Sequence, residues 1–343
     1  MTKFKKTGKI LILLLLVAIS GFSYFSWLFL LPNLKLKSDK TEYLFIRDNT
    51  SFDELTQQIQ QKATVKSLNS FKQAARYLNF QNVKSGRYKI ENGMNNLTLV
   101  RKLRNGNQTP VNLTFNNIRT KEQLAGRLSQ QLMPDSVEIL QLLNDSAFLS
   151  IYGLDSYTAV SLFLPNTYEI FWNIKAEKIF DRMNNEYAGF WTEERKQKAA
   201  AIPLSQAQVS TLASIVDSET NSKKEKPVVA GLYINRLKRN MPLQADPTVI
   251  FGIGDFSIRR VLNVHTRTES PYNTYRNTGL PPGPIRIPTI SGLEAVLNYD
   301  KNDYIFMCAK ETLDGQHNFA ATWAEHSANA ARYQKALNER GIR

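Results

Sequence analysis

The longest apolar run of the sequence lies at its amino-terminal end. Residues 10–34 contain no charged side chain, and about 20 apolar residues suffice to cross the hydrocarbon core of a bilayer. Lysines precede the run at positions 3, 5, 6 and 9, and positive residues tend to stay on the cytoplasmic side. The pattern predicts a cytoplasmic tail over residues 1–9, a single-pass transmembrane anchor over residues 10–34 in the cytoplasmic (inner) membrane, and an extracytoplasmic remainder, which is periplasmic if an outer membrane is present.

A cleaved signal peptide is the alternative interpretation of this run. The apolar region of a signal peptide usually spans about 7–15 residues and ends in small residues at the cleavage site. The run here is longer and ends in the bulky residues from Trp27 to Leu31. These two features favour an anchor that is not cleaved.

A repeated pattern of strand followed by helix comes next. In each unit a short apolar strand leads through a polar turn to a helix start, with leucine or isoleucine four and eight positions further on. The strands are predicted at 43–46, 88–90 and 111–115, and the helices begin at Ser51, Asn95 and Thr120. Residues 40–130 are therefore predicted to form a small α+β module. It resembles LysM-type folds, which hold N-acetyl sugars, and a plain spacer is the alternative.

Residues 131–205 show mainly helical periodicity. Leu140, Leu143, Phe148 and Tyr152 form an apolar stripe. The segment 163–168 interrupts the pattern, because Pro165 cannot lie inside a helix. We assign this helical lead-in to a mixed α/β catalytic domain over residues 131–343, so the predicted fold class of the chain is α+β with one amino-terminal transmembrane helix.

The segment 205–220 predicts an amphipathic helix, which Ser205 can cap with Gln208 three positions further on, and two acidic residues lie near its end. Leu212 and Val216 lie on its apolar face, Glu219 continues that stripe, and Asp217 points aside. Burial disfavours the ionised carboxylate and raises its pKa, and a general acid must still hold its proton near neutral pH. Glu219 is therefore a candidate acid. The alternative is a structural ion pair between a buried Glu219 and Arg236.

Polar and aromatic residues are dense further along the chain. Residues 230–237 predict a second amphipathic helix, 241–250 predict a strand with polar residues and two prolines, and 270–285 predict rigid loops rich in Pro, Gly, Tyr and Asn. Amide and hydroxyl groups bond sugar hydroxyls while aromatic faces cover sugar rings. A carbohydrate-binding groove is favoured over ordinary connecting turns.

The amino-acid composition limits which partners and which kinds of metal or disulfide site are expected. The 343 residues carry a net charge of +14, of which +10 remains without the four lysines of the tail. A basic exported domain indicates an anionic partner such as a cell-wall polymer, although an uncommitted basic surface fits as well; nucleic acid is not expected. One cysteine and three scattered histidines exclude an intrachain disulfide and disfavour a metal site. No metal and no cofactor are predicted.

Six motifs follow one another in the last part of the chain. They lie at 212–220, 233–237, 243–249, 272–275, 279–283 and 315–326. In this order they resemble the endolytic murein transglycosylase family, also called MltG or YceG-like. The resemblance extends to the anchor, the module and the segment 163–168.

This resemblance implies lytic cleavage of peptidoglycan glycan strands between N-acetylmuramic acid and N-acetylglucosamine. The family's catalytic glutamate is the second acid of an Ala-Ser-Ile-x-Glu-x-Glu run, which corresponds to Glu219. The first acid of that run is Asp217 here, one methylene shorter, and Ser327 stands where the family often has Asn. Whether the shorter acid alters activity depends on whether it reaches the substrate.

The implied mechanism needs one carboxyl group. Protonated Glu219 donates to the glycosidic oxygen, and the C6 hydroxyl of muramic acid then attacks C1 while Glu219 acts as base. The product has a 1,6-anhydro end, whereas a hydrolase typically uses two converging carboxyls. Asp246 is the one obvious distant candidate for a second carboxylate.

Eight further residues are expected to line the groove or to orient Glu219. They are Asn235, Gln244, Asp246, Thr248, Tyr272, Asn273, Tyr275 and His317. A structural role suits His317 and His326 equally well. Cys308 lies in an apolar run and is predicted to be a core thiol.

The expected partners are peptidoglycan glycan strands and, by the resemblance, penicillin-binding proteins or other glycan synthases beside which nascent strands are cut, so that glycan elongation ends. Two alternatives stay open. One is a non-catalytic scaffold that binds peptidoglycan through the repeat module. The other is a muramidase-type hydrolase, which incorporates water at the new end.

Overall fold

The chain begins with a long apolar helix. In the computed structural model, which describes residues 2–38 and 40–341, α1 spans Thr2–Phe25 and leads into a π-helical turn at Ser26–Leu30. The stretch Thr7–Leu30 is long and apolar enough to cross a membrane. A first strand, β1, follows at Leu34–Leu36, so the last residue of the predicted anchor is part of a strand. Positions 1, 39, 342 and 343 of the predicted domains lie outside the described residues.

One compact unit comprises the chain up to Leu113 together with residues 131–133 and 168–174. After β1 its elements are β2 (Glu42–Ile46), α2 (Phe52–Lys62), β3 (Ala63–Val65), α3 (Leu68–Tyr77), β4 (Gly86–Ile90), α4 (Asn96–Asn105), β5 (Val111–Thr114) and most of β6 (Thr167–Ile170). β1 pairs antiparallel with β3, β2 pairs antiparallel with β4, and β5 pairs with β6. The predicted alternation of strands and helices is present, and the likeness to LysM stays a prediction.

The core of this unit includes residues from the end of the apolar segment. Leu28 and Leu34 are 2% and 1% exposed. Between them the buried Asn33 donates from Nδ2 to Asn96 Oδ1 at 2.6 Å and accepts from the Ser67 amide at 2.7 Å. Because buried amides are stable only when they are bonded, these contacts fix residues 28–34 to the module.

The second compact unit comprises residues 114–130, 134–167 and 175 onward. Its elements are α5 (Lys121–Ser129), α6 (Ser136–Asn144), α7 (Ser146–Ser150), α8 (Ala176–Phe190), α9 (Glu193–Ala201), α10 (Gln206–Glu219), α11 (Lys226–Lys238), α12 (Asp246–Ile253), α13 (Ile290–Leu297), β7 (Phe306–Ala309), β8 (His317–Ala320) and α14 (Trp323–Glu339). β7 and β8 form an antiparallel pair. The predicted module of residues 40–130 includes α5, whose contacts belong to this second unit.

The buried helix α10 lies at the centre of the second unit. Its residues 209–217 are all buried, and it contacts α9, α11, α12 and α13. Ser214 on this helix donates to the Thr211 carbonyl at 2.7 Å and accepts from the Ile285 amide at 3.0 Å. A fully packed helix gives the residues at its end a fixed position.

The strand predicted over 241–250 is wrong, because residues 246–253 form helix α12. Gln244 has a positive φ of 51° and Ala245 is extended, which turns the chain into the helix. Pro247 stands in the first turn, where a missing backbone N–H costs no hydrogen bond. The proline that indicated a broken strand is therefore compatible with a helix start.

Candidate active site

Glu219 is the last residue of α10. A capping box formed by Ser205 and Gln208 starts this helix, as the sequence predicts. Thr220 is extended and ends it. The glutamate is half-buried at the helix end, so its position follows from the packing of the whole helix.

The carboxyl group of Glu219 receives one short hydrogen bond. The Tyr233 hydroxyl on α11 donates to Glu219 Oε1 at 2.7 Å. Burial raises the pKa of Glu219 to about 7; the Tyr233 hydrogen bond opposes this rise, the charge of Asp246 adds to it, and the charge of Arg236 opposes it. A large share of these carboxyls therefore carries a proton at neutral pH.

Arg236 does not hold Glu219 in an ion pair among the described contacts. Its guanidinium donates to the carbonyls of Ile305 at 2.6 Å and Leu243 at 2.9 Å and to the side-chain oxygen of Gln244 at 3.2 Å. These neutral partners tie α11 to the loops around Glu219. The structural ion pair considered from the sequence is absent from the described residues.

Glu219 lines a cavity of about 400 Å3, a size typical of ligand sites. Its wall includes Tyr233, Arg236, Gln244, Asp246, Tyr275, Phe306, Met307, Cys308, His317, Trp323 and His326. The Tyr275 hydroxyl donates to Asp246 Oδ1 at 2.6 Å. One acid with a raised pKa thus shares a cavity with a hydrogen-bonded carboxylate.

Aromatic rings form one wall of this cavity. The Phe306 ring lies 5.7 Å from the ring of Trp323 and 5.1 Å from that of His326. Trp323 is 67% exposed, although a large apolar side chain of this kind usually packs. An exposed indole beside a polar cavity is suited to covering a sugar ring.

His317 is held by a buried glutamate. The His317 amide donates to Glu225 Oε1 at 2.8 Å, and its ring Nδ1 lies 3.4 Å from Glu225 Oε2. Thr220, next to Glu219, donates to the same carboxylate at 3.0 Å. Glu225 therefore joins the end of α10, the start of α11 and β8 behind the cavity.

Four of the eight predicted residues lie in the cavity wall, and four do not. Gln244, Asp246, Tyr275 and His317 line it. Asn235 instead donates to the carbonyls of Asn302 and Tyr304 at 2.8 and 3.0 Å. Thr248 and Asn273, 0% and 1% exposed, bond the backbone of Ala245 and of Thr266 and Thr268. The Tyr272 ring packs on Phe251 with centroids 4.6 Å apart.

Several residues of the cavity wall were not predicted to line the site. Tyr233 and Arg236 lie three positions apart on α11, a spacing that places them on one face. Phe306 and Trp323 come from β7 and the start of α14. Cys308, expected as a core thiol, is partly exposed in the wall, on a strand of the two-stranded β7–β8 sheet.

Asp217 is buried, although the helical face predicted that it points aside. Lys226 Nζ lies 2.5 Å from Asp217 Oδ1, with side-chain exposures of 7% and 1%. The Thr289 amide donates to Asp217 Oδ2 at 2.6 Å. The aspartate thus binds α11 and the start of α13 to α10.

A second cavity, of about 460 Å3, also reaches Glu219. It is lined by Asn117, Arg119, Asp217, Ser218, Glu219, Thr220, Asn221 and Arg286. Glu219 therefore lies in the wall of two cavities. Within the described residues no three His, Cys, Asp or Glu side chains group as a metal site would require.

The sequence and the fold of this chain are both similar to those of YceG-like proteins. The profile of the YceG-like family matches residues 44–332. An endolytic murein transglycosylase of Bacillus subtilis is 26% identical, over 91% of this chain and 90% of its own length. One of Streptococcus pneumoniae is 26% identical over 94% of this chain, which spans 64% of that protein. A crystal structure of a yceG-like protein from Listeria monocytogenes has a TM-score of 0.56 and 26% identity, covering 85% of this chain and 99% of that one.

Proposed function

This chain belongs to the YceG-like family, and on that premise we propose that it is an endolytic lytic transglycosylase of peptidoglycan. The observation that carries the proposal is the position of Glu219, whose pKa is about 7. It lines two cavities and is the acid that the family resemblance selects. The relatives from Bacillus and Streptococcus carry the same activity in their names.

In the proposed first step, Glu219 acts as general acid. The Tyr233 hydroxyl donates to Oε1, which leaves Oε2 to hold the proton and give it to the glycosidic oxygen. As this bond breaks, positive charge builds at C1 of muramic acid. Asp246, fixed by Tyr275, supplies a negative charge near the reacting sugar.

In the proposed second step, ionised Glu219 acts as base. It removes the proton of the C6 hydroxyl while that oxygen attacks C1, which forms the 1,6-anhydro ring and restores the acid. No water is consumed, so one carboxyl group serves both steps. The Tyr233 hydrogen bond stabilises the ionised form between them.

The two cavities support cleavage within a strand. A strand that occupies both has sugars on either side of Glu219. Trp323 is proposed to cover a sugar ring in the first cavity, and Gln244 and His317 to bond its polar groups. An acid at the closed end of one cavity would favour release of terminal units.

The amino-terminal helix is proposed to anchor the enzyme in the cytoplasmic membrane with its tail inside and both units outside. Its apolar stretch Thr7–Leu30 and the lysines before it support this orientation. Residues 40–130 are proposed as a LysM-like module that binds the glycan, and residues 131–343 as the catalytic domain. Cleavage beside penicillin-binding proteins or other glycan synthases would end strand elongation.

The test is mass spectrometry of purified glycan strands after incubation with the full chain in detergent. We expect internal fragments with 1,6-anhydro ends from the unchanged protein and none from Glu219→Gln. Glu138→Gln, which neutralises an exposed carboxylate on α6, is the matched control and should cut normally.

Two other results would contradict the proposed transglycosylase activity and indicate a different function. Reducing ends that incorporate 18O from labelled water would indicate a muramidase-type hydrolase, with Asp246 as the second carboxylate. Strand binding without cleavage by either protein would indicate a scaffold.

A further inference from the structure

Two arginines line the second cavity together with Glu219. Arg119 lies just before α5, and Arg286 lies between the proline-rich loop and α13. The Ile287 amide donates to the Ile118 carbonyl at 2.9 Å, which holds the neighbouring residues Arg119 and Arg286 close together. All these residues belong to the second compact unit.

The backbone on both sides of Arg286 is fixed. The Ile285 amide donates to Ser214 Oγ at 3.0 Å, and the Thr289 amide donates to Asp217 at 2.6 Å. Ile285 and Ile287 are buried. Arg286 lies between these two buried residues, is itself partly exposed, and lines the cavity.

No carboxylate neutralises either guanidinium among the described ion pairs. Arg286 donates to the side-chain oxygen of Asn117 at 2.9 Å, and its Nε is buried without a partner. Arg119 lies 5.2 Å from the ring centroid of Phe256. The oxygens of Asp217 are already bonded to Lys226 and Thr289. Two adjacent positive charges without a carboxylate partner form a site for an anion.

The site also has an apolar side. Arg119 and Arg286 border a smaller cavity of about 150 Å3 whose other walls include Ile250, Phe251 and Phe256. This cavity suits a small apolar group attached next to the anion. The two cavities together suit an anion carried on a short, partly apolar substituent.

We propose that Arg119 and Arg286 bind a carboxylate of the lactyl substituent of muramic acid, either of the peptide attached to it or of the free lactyl group. The inference rests on the proposed function, which places a glycan strand across Glu219. The sugar rings of such a strand are neutral, so its carboxylates lie on this substituent. Their capture would fix which sugar of the strand stands at the acid.

The test measures binding rather than cleavage. The full chain in detergent carries Glu219→Gln, so that strands stay intact, and is titrated with peptide-bearing strands, amidase-treated strands and chitin oligosaccharides of matched length. Arg119→Gln and Arg286→Gln are added singly, with Arg259→Gln as a control that removes an equal charge from an exposed arginine outside both cavities.

We expect each cavity arginine variant to weaken binding of carboxylate-bearing strands about tenfold or more. Chitin binding and the Arg259→Gln variant should be unaffected. A loss confined to peptide-bearing strands assigns the carboxylate to the peptide, and a loss on amidase-treated strands assigns it to the lactyl group. Arg286→Lys, which keeps the charge without the planar fork, should recover part of the affinity and guards against a folding defect.

The inference would be overturned if Arg119→Gln and Arg286→Gln bound peptide-bearing and amidase-treated strands as tightly as the parent protein. An equal loss of affinity for chitin oligosaccharides would also overturn it. Because binding is read without turnover, the result is separate from the cleavage assay. If the unchanged protein forms anhydro products while Arg119→Gln and Arg286→Gln bind strands normally, the proposed enzyme activity stands and the proposed carboxylate site is rejected.

Discussion

At the scale of single residues, the protonation of Glu219 decides the pH at which the proposed enzyme works. The first step needs the protonated form, and burial raises the pKa of Glu219 to about 7. We therefore expect kcat/KM to fall on the alkaline side with a midpoint near pH 7. Strand cleavage measured between pH 5 and 9 checks this, and a flat profile through pH 8 would contradict it.

Two substitutions should move this midpoint in opposite directions. Tyr233→Phe removes a hydrogen bond that favours the carboxylate, so the pKa of Glu219 rises and the alkaline limb moves to higher pH. Asp246→Asn removes a negative charge that disfavours the carboxylate, so the limb moves to lower pH. The quantity to measure is the pH midpoint of the alkaline fall in kcat/KM. The absolute rate is not used, because it also changes if these residues have another role. Shifts of the same sign in both variants would contradict this account.

The ion pair of Asp217 and Lys226 should be a large stability determinant. Both side chains are almost fully buried, so Asp217→Asn leaves a buried ammonium without its counter-charge. We expect about 3–5 kcal/mol of lost stability in denaturant unfolding. The double variant Asp217→Asn with Lys226→Met should regain much of it, and a double variant no more stable than the single one would show that the pair is not the cause.

The role of a residue is harder to predict from the sequence than the type of contact its side chain can make. Glu219 was predictable as a candidate acid because its neighbours on α10 are local in sequence. Asn235 is a polar residue of a type that binds sugars, yet its amide bonds the backbone carbonyls of Asn302 and Tyr304, far along the chain. Whether a polar group is free for a ligand depends on contacts that its own segment does not contain.

At the scale of elements, capping signals located α10, whereas α12 was missed. Ser205 and Gln208 form the predicted capping box. At Asp246 and Pro247 the same proline suits a helix start and a broken strand. Only the turn made by Gln244 in its positive-φ conformation separates these two outcomes, and this turn is tied to Thr274 by a backbone hydrogen bond.

The packing of α11 predicts that a glycine within it cannot be replaced. An exposed helical Gly→Ala change usually stabilises by about 0.5–1 kcal/mol. At Gly231, however, an added Cβ would lie 2.2 Å from the backbone carbonyl oxygen of Asp300. We expect Gly231→Ala to lower the free energy of unfolding, by about 1–3 kcal/mol.

Gly189 in α8 supplies the matched control, because no atom lies within 4 Å of an added Cβ there. Gly189→Ala should stabilise the protein in the same denaturant titration. If Gly231→Ala stabilised the protein as well, the backbone at Asp300 would have to move to accommodate the added methyl group on α11.

At the scale of the whole molecule, the amino-terminal apolar run of residues 10–34 contributes to two different parts of the structure. Residues up to Phe25 form the helix that is proposed to lie in the membrane, and residues 28–34 pack into the first unit. Hydrophobicity alone does not separate these parts, since Leu28 and Leu34 are as apolar as the leucines of the helix. The sequence thus predicted a helix long and apolar enough to span a membrane, whereas the end of the proposed anchor depends on the buried pair Asn33 and Asn96.

This shared run predicts how the chain can be shortened. A chain that starts at Ser26 keeps Leu28, Asn33 and Leu34, so we expect its first unit to unfold as in the full chain. A chain that starts at residue 35 loses two buried leucines, each worth about 1.5–3 kcal/mol, and also the Leu28 carbonyl that accepts from Asn96 at 2.8 Å. Thermal unfolding of the two truncated chains in the same buffer measures the difference. Equal unfolding temperatures would mean that residues 28–34 lie on the module without stabilising it, and the boundary at residue 34 would then be adequate.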